Sequence, residues 1–298
     1  MSLLDRQIQV VIALGTGNFG DTGKNTVTLD GLRVHANITK VGAPGYDAAE
    51  IRVYGLPLSM MNTLSKLGAP IGYPRVNTIT LNAGDTTTGM SQVFQGIIYT
   101  SYGDFSAMPE VCLVVTSMYN LTNGAKPAAP LSFPKPVQAA TVVAQIAAQM
   151  GLGFINNGVS VTFSGAGGGG PYLPGSSLQQ LQTVASAGNF NYTTSGGNAQ
   201  QSVEIWPKGT ARGAMGPLVS PDSGLVVYPE YSDAGATIVS LYRPGFGTGQ
   251  AFTLQTSIDS AAGTWFVVRL NYELECNNPT GSNPWFITID AQRSTLAS

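Results

Sequence analysis

The feature that most constrains the fold is an alternation of apolar and polar side chains, which is most regular from Phe266 to Cys276. Successive side chains of a β-strand point to opposite faces, so such a run has one apolar and one polar face. The predicted apolar face consists of Phe266, Val268, Leu270, Tyr272, Leu274 and Cys276. The predicted polar face consists of Arg269, Asn271, Glu273 and Glu275. The run therefore predicts a long strand with one face in a core and one in water, as in a barrel wall.

The same alternation recurs towards both ends of the chain. Strands are predicted at Glu50–Tyr54, Arg75–Leu81, Gln92–Tyr99, Val111–Val115 and Trp285–Asp290. One helix is predicted among them, from Pro57 to Leu67, because its apolar residues recur at helical spacing and Gly68 follows. Both ends of the chain are therefore predicted to be mainly β.

The middle of the chain has a different pattern. Four prolines between Ala125 and Pro136 predict a domain boundary, because proline is excluded from helix interiors and central strands. Helices are predicted at 137–151, ending at Gly151, and at 178–185, with Ser177 as N-cap. Short aromatic-bearing strands follow each helix, and Gly165 to Gly170 predict a mobile surface loop. The prediction is a β domain at 1–124, a small α+β insert at 125–208 and a second β domain at 209–298.

A glycine motif near the N-terminus raises the question of a nucleotide site. Gly15, Gly17 and Gly20 match G-x-G-x-x-G, which binds a pyrophosphate only where the third glycine opens a helix. A strand-like run, Thr26–Leu29, follows instead, and Asp30-Gly31 then predicts a hairpin into the next strand. Gly23-Lys24 lacks the flanking residues of a P-loop. The motif is therefore interpreted as a loop between strands.

The composition limits the classes of partner. Only 10% of residues are charged and the net charge is −2, which disfavours binding to nucleic acid by phosphate neutralisation. No apolar run approaches the ~18 residues of a membrane span, and the first residues lack the order of a signal peptide. So little charge favours burial of surface against other subunits, the alternative being a neutral polar surface. Cys112 and Cys276 are predicted to be buried free thiols, which suits synthesis in a cytoplasm.

No catalytic or metal site emerges from the residues. The single histidine, His35, lies on the polar side of a predicted strand without a second ligand nearby. The nearest carboxylate pairs are Glu273 with Glu275 on a polar strand face and Glu230 with Asp233 in a turn. We therefore predict no catalytic residues, no cofactor, no metal and no enzymatic activity.

The C-terminal third carries a series of spaced motifs, namely Gly224-Leu225, Leu241 with Pro244 to Gly249, Gly263-Trp265-Val267 and the strand beginning at Trp285. In these motifs it resembles the end of baseplate and tail hub proteins of contractile-tailed bacteriophages. Val93 to Ile98 resembles a strand of the first third of that family, and the two predicted helix–strand units resemble its insert. The chain departs from the family at Asn271-Tyr272, where a histidine is often found.

The resemblance implies a structural virion protein of the tail baseplate, made in the cytoplasm of the bacterial host. Its two β domains would be tube-like β-barrels, so that a homotrimer imitates a six-fold ring. Such a ring would join the tail tube to a three-fold central spike, contact other baseplate proteins and let genomic DNA pass without specific binding. No membrane insertion is implied. The strand surfaces facing the channel are then expected to be neutral to acidic, with Glu273 and Glu275 beside Arg269, unless these residues face outer solvent.

Two alternatives remain from the sequence. Another tail structural protein, a tube or terminator subunit, fits the composition equally well. A tail-associated cell-wall hydrolase would need an acid and a base in residues 137–207, where Glu204 is the only carboxylate.

Overall fold

The computed structural model describes residues 6–19, 23–68, 77–87, 89–120, 123–124, 127–164, 168–194, 201–232 and 235–293. These residues form a mainly β protein with a few α-helices and a short 3-10 helix, Pro221–Ser223. No helix among them is long and apolar enough to cross a membrane.

The first third contains seven strands and one helix: β1 (Arg6–Ala13), β2 (Thr26–Leu29), β3 (Val34–Val41), β4 (Ala48–Tyr54), α1 (Leu58–Leu64), β5 (Thr78–Asp85), β6 (Gly89–Asp104) and β7 (Cys112–Met118). The middle contains β8 (Leu131–Ser132), β9 (Val137–Gln138), α2 (Ala139–Met150), β10 (Gly153–Asn156), β11 (Thr162–Phe163), β12 (Tyr172–Leu173), α3 (Ser177–Gly188), β13 (Phe190–Thr193) and β14 (Ser202–Pro207). The last third contains β15 (Glu230–Ser232), β16 (Gly235–Leu241), β17 (Ala251–Leu254), β18 (Gly263–Cys276) and β19 (Trp285–Gln292).

One 12-stranded sheet joins the two ends of the chain. Its order is β15-β16-β19-β18-β3-β4-β7-β6-β5-β1-β2, and β17 pairs with β18 beside this path. Among the described residues the path is open, ending at β15 and β2. The mainly β prediction is confirmed, whereas closed barrels are not.

Strand β18 belongs to both halves of the sheet. β19 pairs along one of its edges, while the other edge pairs with β17 from Gly263 to Phe266 and with β3 from Arg269 onwards. A bulge between Val267 and Arg269 separates the two regions. Because a bulge adds one residue to a strand, it shifts the phase of the alternation. Val268 is therefore 42% exposed and Val267 is buried, which corrects the predicted apolar face.

The two ends of the chain also share one hydrophobic core. Tyr242 makes edge-to-face contacts with Tyr272 and Trp285, at centroid distances of 5.9 and 5.5 Å. The guanidinium of Arg6, at the start of β1, lies 5.6 Å from the Trp285 ring and donates to the Asn283 carbonyl at 3.1 Å. The N-terminal strand thus returns to the last strand, so the sheet is strongly curved around its core.

The insert has a separate hydrophobic core. Helices α2 and α3 cover a three-stranded sheet of order β10-β14-β13, in which β10 and β14 are parallel. Both predicted helices are confirmed, and Gly151 is the left-handed C-cap of α2. The N-cap of α3 is Ser176 rather than Ser177, since Ser176 Oγ accepts from the Gln179 amide in a capping box. The division of the chain into three domains stays a prediction.

The structure tests two loop predictions near the glycine motifs. β2 pairs with β1, so the loop containing Gly15 and Gly17 connects two strands, as interpreted from the sequence; Gly20 lies outside the described residues. The hairpin predicted at Asp30-Gly31 is wrong, because β3 pairs with β4 and β18 instead. An Asp-Gly turn indicates a change of direction but cannot indicate which strand comes alongside.

Three further sequence predictions fall partly outside the described residues. They concern Arg75 and Val76 of a predicted strand, residues 165–167 of the glycine loop, and Asp233. At the described end of the glycine loop, the Gly170 amide donates to the Phe133 carbonyl at 2.8 Å.

Candidate assembly surfaces

The polar face of β2, β1, β5 and β6 has hydroxyl and amide side chains. Across these strands, Thr28 is opposite Val11, Val11 is opposite Thr80, and Thr80 is opposite Gln95. A neighbouring row places Gln9 opposite Asn82, whose Nδ2 donates to Gln9 Oε1 at 2.9 Å. The charged side chain on this face of the four strands is Asp104, at the end of β6, and no described Lys or Arg lies on it. We name it the neutral face, and it offers no cation to a phosphate.

Charged side chains also lie on β18, which β7, β4 and β3 separate from β6 along the sheet. Arg269 and Glu273 are exposed, as predicted from the alternation. Glu275 was predicted to face solvent, but it is only 7% exposed. Its carboxylate accepts hydrogen bonds from Arg33 Nε at 2.9 Å and from Asn278 Nδ2 at 2.8 Å. Its carboxylate therefore belongs to a structural ion pair rather than to a solvent-facing surface.

The residues considered for chemistry lie apart. His35 is half-buried on β3, in register between Glu275 and Arg52. Glu204 is half-buried on β14, with one carboxylate oxygen 3.8 Å from Arg212 Nε. Among the described residues, no three side chains of the metal-binding types come together. The absence of catalytic residues stays a prediction.

An apolar surface follows the open edge of the sheet at β15 and β16. The segment before β15 runs along β16, since the Val226 amide donates to the Val239 carbonyl at 3.0 Å and the Leu241 amide donates to the Gly224 carbonyl at 2.8 Å. The exposed residues of this surface are Val226, Val227, Tyr228, Tyr231 and Leu241, with Tyr228 70% exposed. We name it the edge patch. Apolar open edges promote pairing with another chain, so natural proteins usually cover or charge them.

A second apolar surface lies where β6 ends beside α1. Its exposed residues are Leu58, Tyr102, Phe105 and Met108, with Met108 75% exposed. The Phe105 ring lies against Gly103, which leaves room for it by lacking a side chain. We name this surface the helix patch. It is far from the edge patch along the sheet, with β19, β18, β3, β4 and β7 between them.

Sequence reasoning found neither patch. Val226, Val227 and Tyr228 of the edge patch lie in an irregular segment with no period-two pattern, and the residues of the helix patch are spread over a helix, a strand and a loop. The only signal in the sequence was the low charge of the whole chain.

With this architecture described, comparison with known families is decisive. The family model described as "Baseplate hub gp41" matches residues 7–289. The chain belongs to the baseplate hub gp41 family. It is thus a phage structural protein of the virion's tail baseplate, as the C-terminal motifs suggested.

Solved structures with the same fold agree with this assignment. A tail protein from Neisseria meningitidis is similar with a TM-score of 0.61 at 10% identity, covering 97% of each chain. The 43 kDa tail protein of prophage MuSo2 from Shewanella oneidensis is similar with a TM-score of 0.60 at 9% identity, covering 96% of the hub chain and 97% of its own. The Escherichia coli c3393 protein is a type VI secretion component described as similar to T4 tail proteins gp27 and gp5. It is similar with a TM-score of 0.56 at 10% identity, covering 89% of the hub chain and 74% of its own. No curated protein matches the sequence.

Proposed function

We propose that three copies of this chain form a ring in the baseplate, which joins the six-fold tail tube to the three-fold central spike and lets DNA pass. The tube ring, the spike and other baseplate proteins are the partners in this proposal. The protein is made in the cytoplasm of the bacterial host and acts in the virion. The edge patch and the helix patch together carry the proposal.

The two patches favour a ring because they differ. A two-fold dimer pairs one surface with itself, whereas a closed ring of three joins two different surfaces head to tail. The edge patch offers an open strand edge with apolar side chains, and the helix patch offers exposed apolar side chains beside a helix. Each copy would bury its edge patch against the helix patch of the next copy.

The curved sheet supports a tube-like role for each half of the chain. β18 pairs with β17 in the C-terminal half and with β3 in the N-terminal half. We propose that the two halves are the two tube-like β-barrel domains, which share β18 and are completed by neighbouring strands in the ring. Two such units in each of three copies would match a six-fold tube.

Charge insertion at the edge patch tests the ring. The Val227→Lys/Tyr228→Lys variant places two ammonium groups where an apolar contact is proposed, and Tyr172→Lys on the insert is the matched control because Tyr172 is also exposed. Mass photometry at micromolar concentration should show trimers for the wild type and the control, and monomers for the double variant. A wild type that stays monomeric even with purified tail tube protein, or a double variant that still forms trimers, would refute the proposed contact.

We propose further that the hub has no enzymatic activity, since it is assigned to a family of structural proteins and Glu204 is engaged by Arg212. Purified protein should release no product from peptidoglycan or ester substrates. Robust hydrolysis that disappears in Glu204→Ala would favour the cell-wall hydrolase instead.

A further inference from the structure

A cleft of about 540 Å³ separates the insert from the C-terminal half of the sheet. Its insert wall includes Phe190, Tyr192 and Trp206, and its sheet wall includes Phe266 and Val268. The volume lies within the ~300–1,000 Å³ typical of ligand sites. The cleft belongs to neither of the two patches proposed for the ring.

The charges around the cleft have one sign. Lys208 and Arg293 line it, and no Asp or Glu is among the described lining residues. Arg293 is anchored, because its guanidinium lies 4.8 Å from the Trp265 ring and donates to the Ala262 carbonyl at 3.3 Å. Lys208 is exposed and makes no ion pair with the described residues. In a chain with more acids than cations, this local excess of positive charge selects for a carboxylate.

The loop beside the cleft contains a buried polar atom without a partner. Thr248 is 3% exposed and lines the cleft, and its Oγ1 is buried with no hydrogen-bond partner among the described residues. Arg212 is 8% exposed, and its Nη1 also lacks a described partner. The backbone amide of Arg212 donates to the Gly249 carbonyl at 2.8 Å, which fixes Arg212 against the same loop. Both polar atoms are sealed from the cleft, so they cost stability without offering a contact to a ligand.

The loop that forms the cleft floor is shaped by two glycines. A side-chain carbon on Gly247 would overlap Arg212 Nη2, and one on Gly249 would overlap the Trp206 ring. The missing side chains therefore let Arg212 and Trp206 pack against the Thr248 loop.

From this geometry we infer that the cleft binds an acidic peptide segment of a partner protein. Its carboxylates pair with Lys208 and Arg293, and its apolar side chains contact the aromatic wall. Such a segment would contact insert and sheet together, so binding would hold the two parts of the chain in one relative position.

A randomised library of 12-residue peptides, selected against the wild-type protein, tests the inference. Enriched peptides should carry an excess of Asp and Glu together with apolar residues. A synthetic peptide with the most enriched sequence should bind the Lys208→Glu variant about tenfold more weakly than the wild type, because the substitution reverses a charge at the rim of the cleft. The matched control is Lys135→Glu, an exposed charge on the insert outside the cleft lining, which should leave the affinity unchanged.

Enrichment of neutral or basic peptides, or an affinity that Lys208→Glu does not change, would overturn the inference. A tenfold gain in affinity on deletion of residues 294–298, which follow Arg293, would identify the chain's own end as the occupant and overturn it too.

Discussion

At the scale of single residues, two glycines in the left-handed backbone region allow the cost of backbone strain to be measured apart from the cost of close packing. Gly249 has φ +79° and its missing side chain makes room for Trp206, whereas Gly213 has φ +61° and open space around it. Gly213→Ala should therefore lower the free energy of unfolding by about 1 kcal/mol, the cost of the left-handed backbone. Gly249→Ala should lower it by about 2–4 kcal/mol, because overlap with a buried ring adds to that cost. Urea unfolding measures both, and equal losses would contradict the close approach of Trp206.

Buried tyrosines make the folded protein sensitive to alkali. Burial raises the pKa of Tyr192 from 10.0 to about 12, and burial also raises the pKa values of Tyr119, Tyr242 and Tyr272. A group whose pKa is higher in the folded state than in the unfolded state stabilises the fold at pH values below its unfolded-state pKa. This stabilisation is lost as the pH rises through the folded-state pKa. Stability should thus fall between about pH 10 and pH 12.

Tyrosinate absorbance during an alkaline titration checks this expectation. Folded protein should ionise fewer tyrosines near pH 11 than protein in guanidinium, with the remainder ionising as it unfolds. Coincident titration curves for the two samples would contradict the burial of these phenols.

At the scale of elements, the bulge in β18 predicts an asymmetry between two deletions. Without Val268, Val267 would precede Arg269 directly, and both flanking registers with β19 would be kept. Deletion of Val268 should therefore preserve the fold. Deletion of Asn271 from the regular part of β18 should abolish soluble expression, because a slip of one residue turns each following side chain to the other face. Circular dichroism and thermal melts compare the two, and a folded Asn271 deletion would contradict the assigned register.

The same strand shows what the sequence could and could not predict. Alternation and helical spacing are local properties, so the strand from Trp285 and the helix capped by Gly151 were predictable to within two residues at their ends. The exposure of Val268 was not, because the bulge arises where β18 changes partner from β17 to β3. The hairpin predicted at Asp30-Gly31 was wrong for the same reason. Pairing between distant strands is decided by the whole core, and it also determines where the edge patch is left open.

At the scale of the whole molecule, the neutral face allows a test of the DNA channel. Each phosphate that a Lys or Arg neutralises adds salt-sensitive affinity, so a channel for sliding DNA should lack cations. Thr28 and Thr80 lie in one row of the neutral face, both opposite Val11. If this face lines the bore, Thr28→Arg/Thr80→Arg should create a belt of cations repeated in every copy of the ring.

Preassembled rings of this variant should retain linear double-stranded DNA but not closed circles, since only DNA with a free end can thread a closed ring. Retention should weaken with rising salt, with a slope of about −0.9 per phosphate contacted on a double-logarithmic plot. Wild-type rings should retain neither form of DNA. The control is Ser132→Arg/Tyr172→Arg, which adds the same charge to two paired, exposed positions of the insert. That control should bind linear and circular DNA alike, because an outer surface needs no threading. Equal binding of both DNA forms by the Thr28→Arg/Thr80→Arg rings would place the neutral face on the outside of the ring.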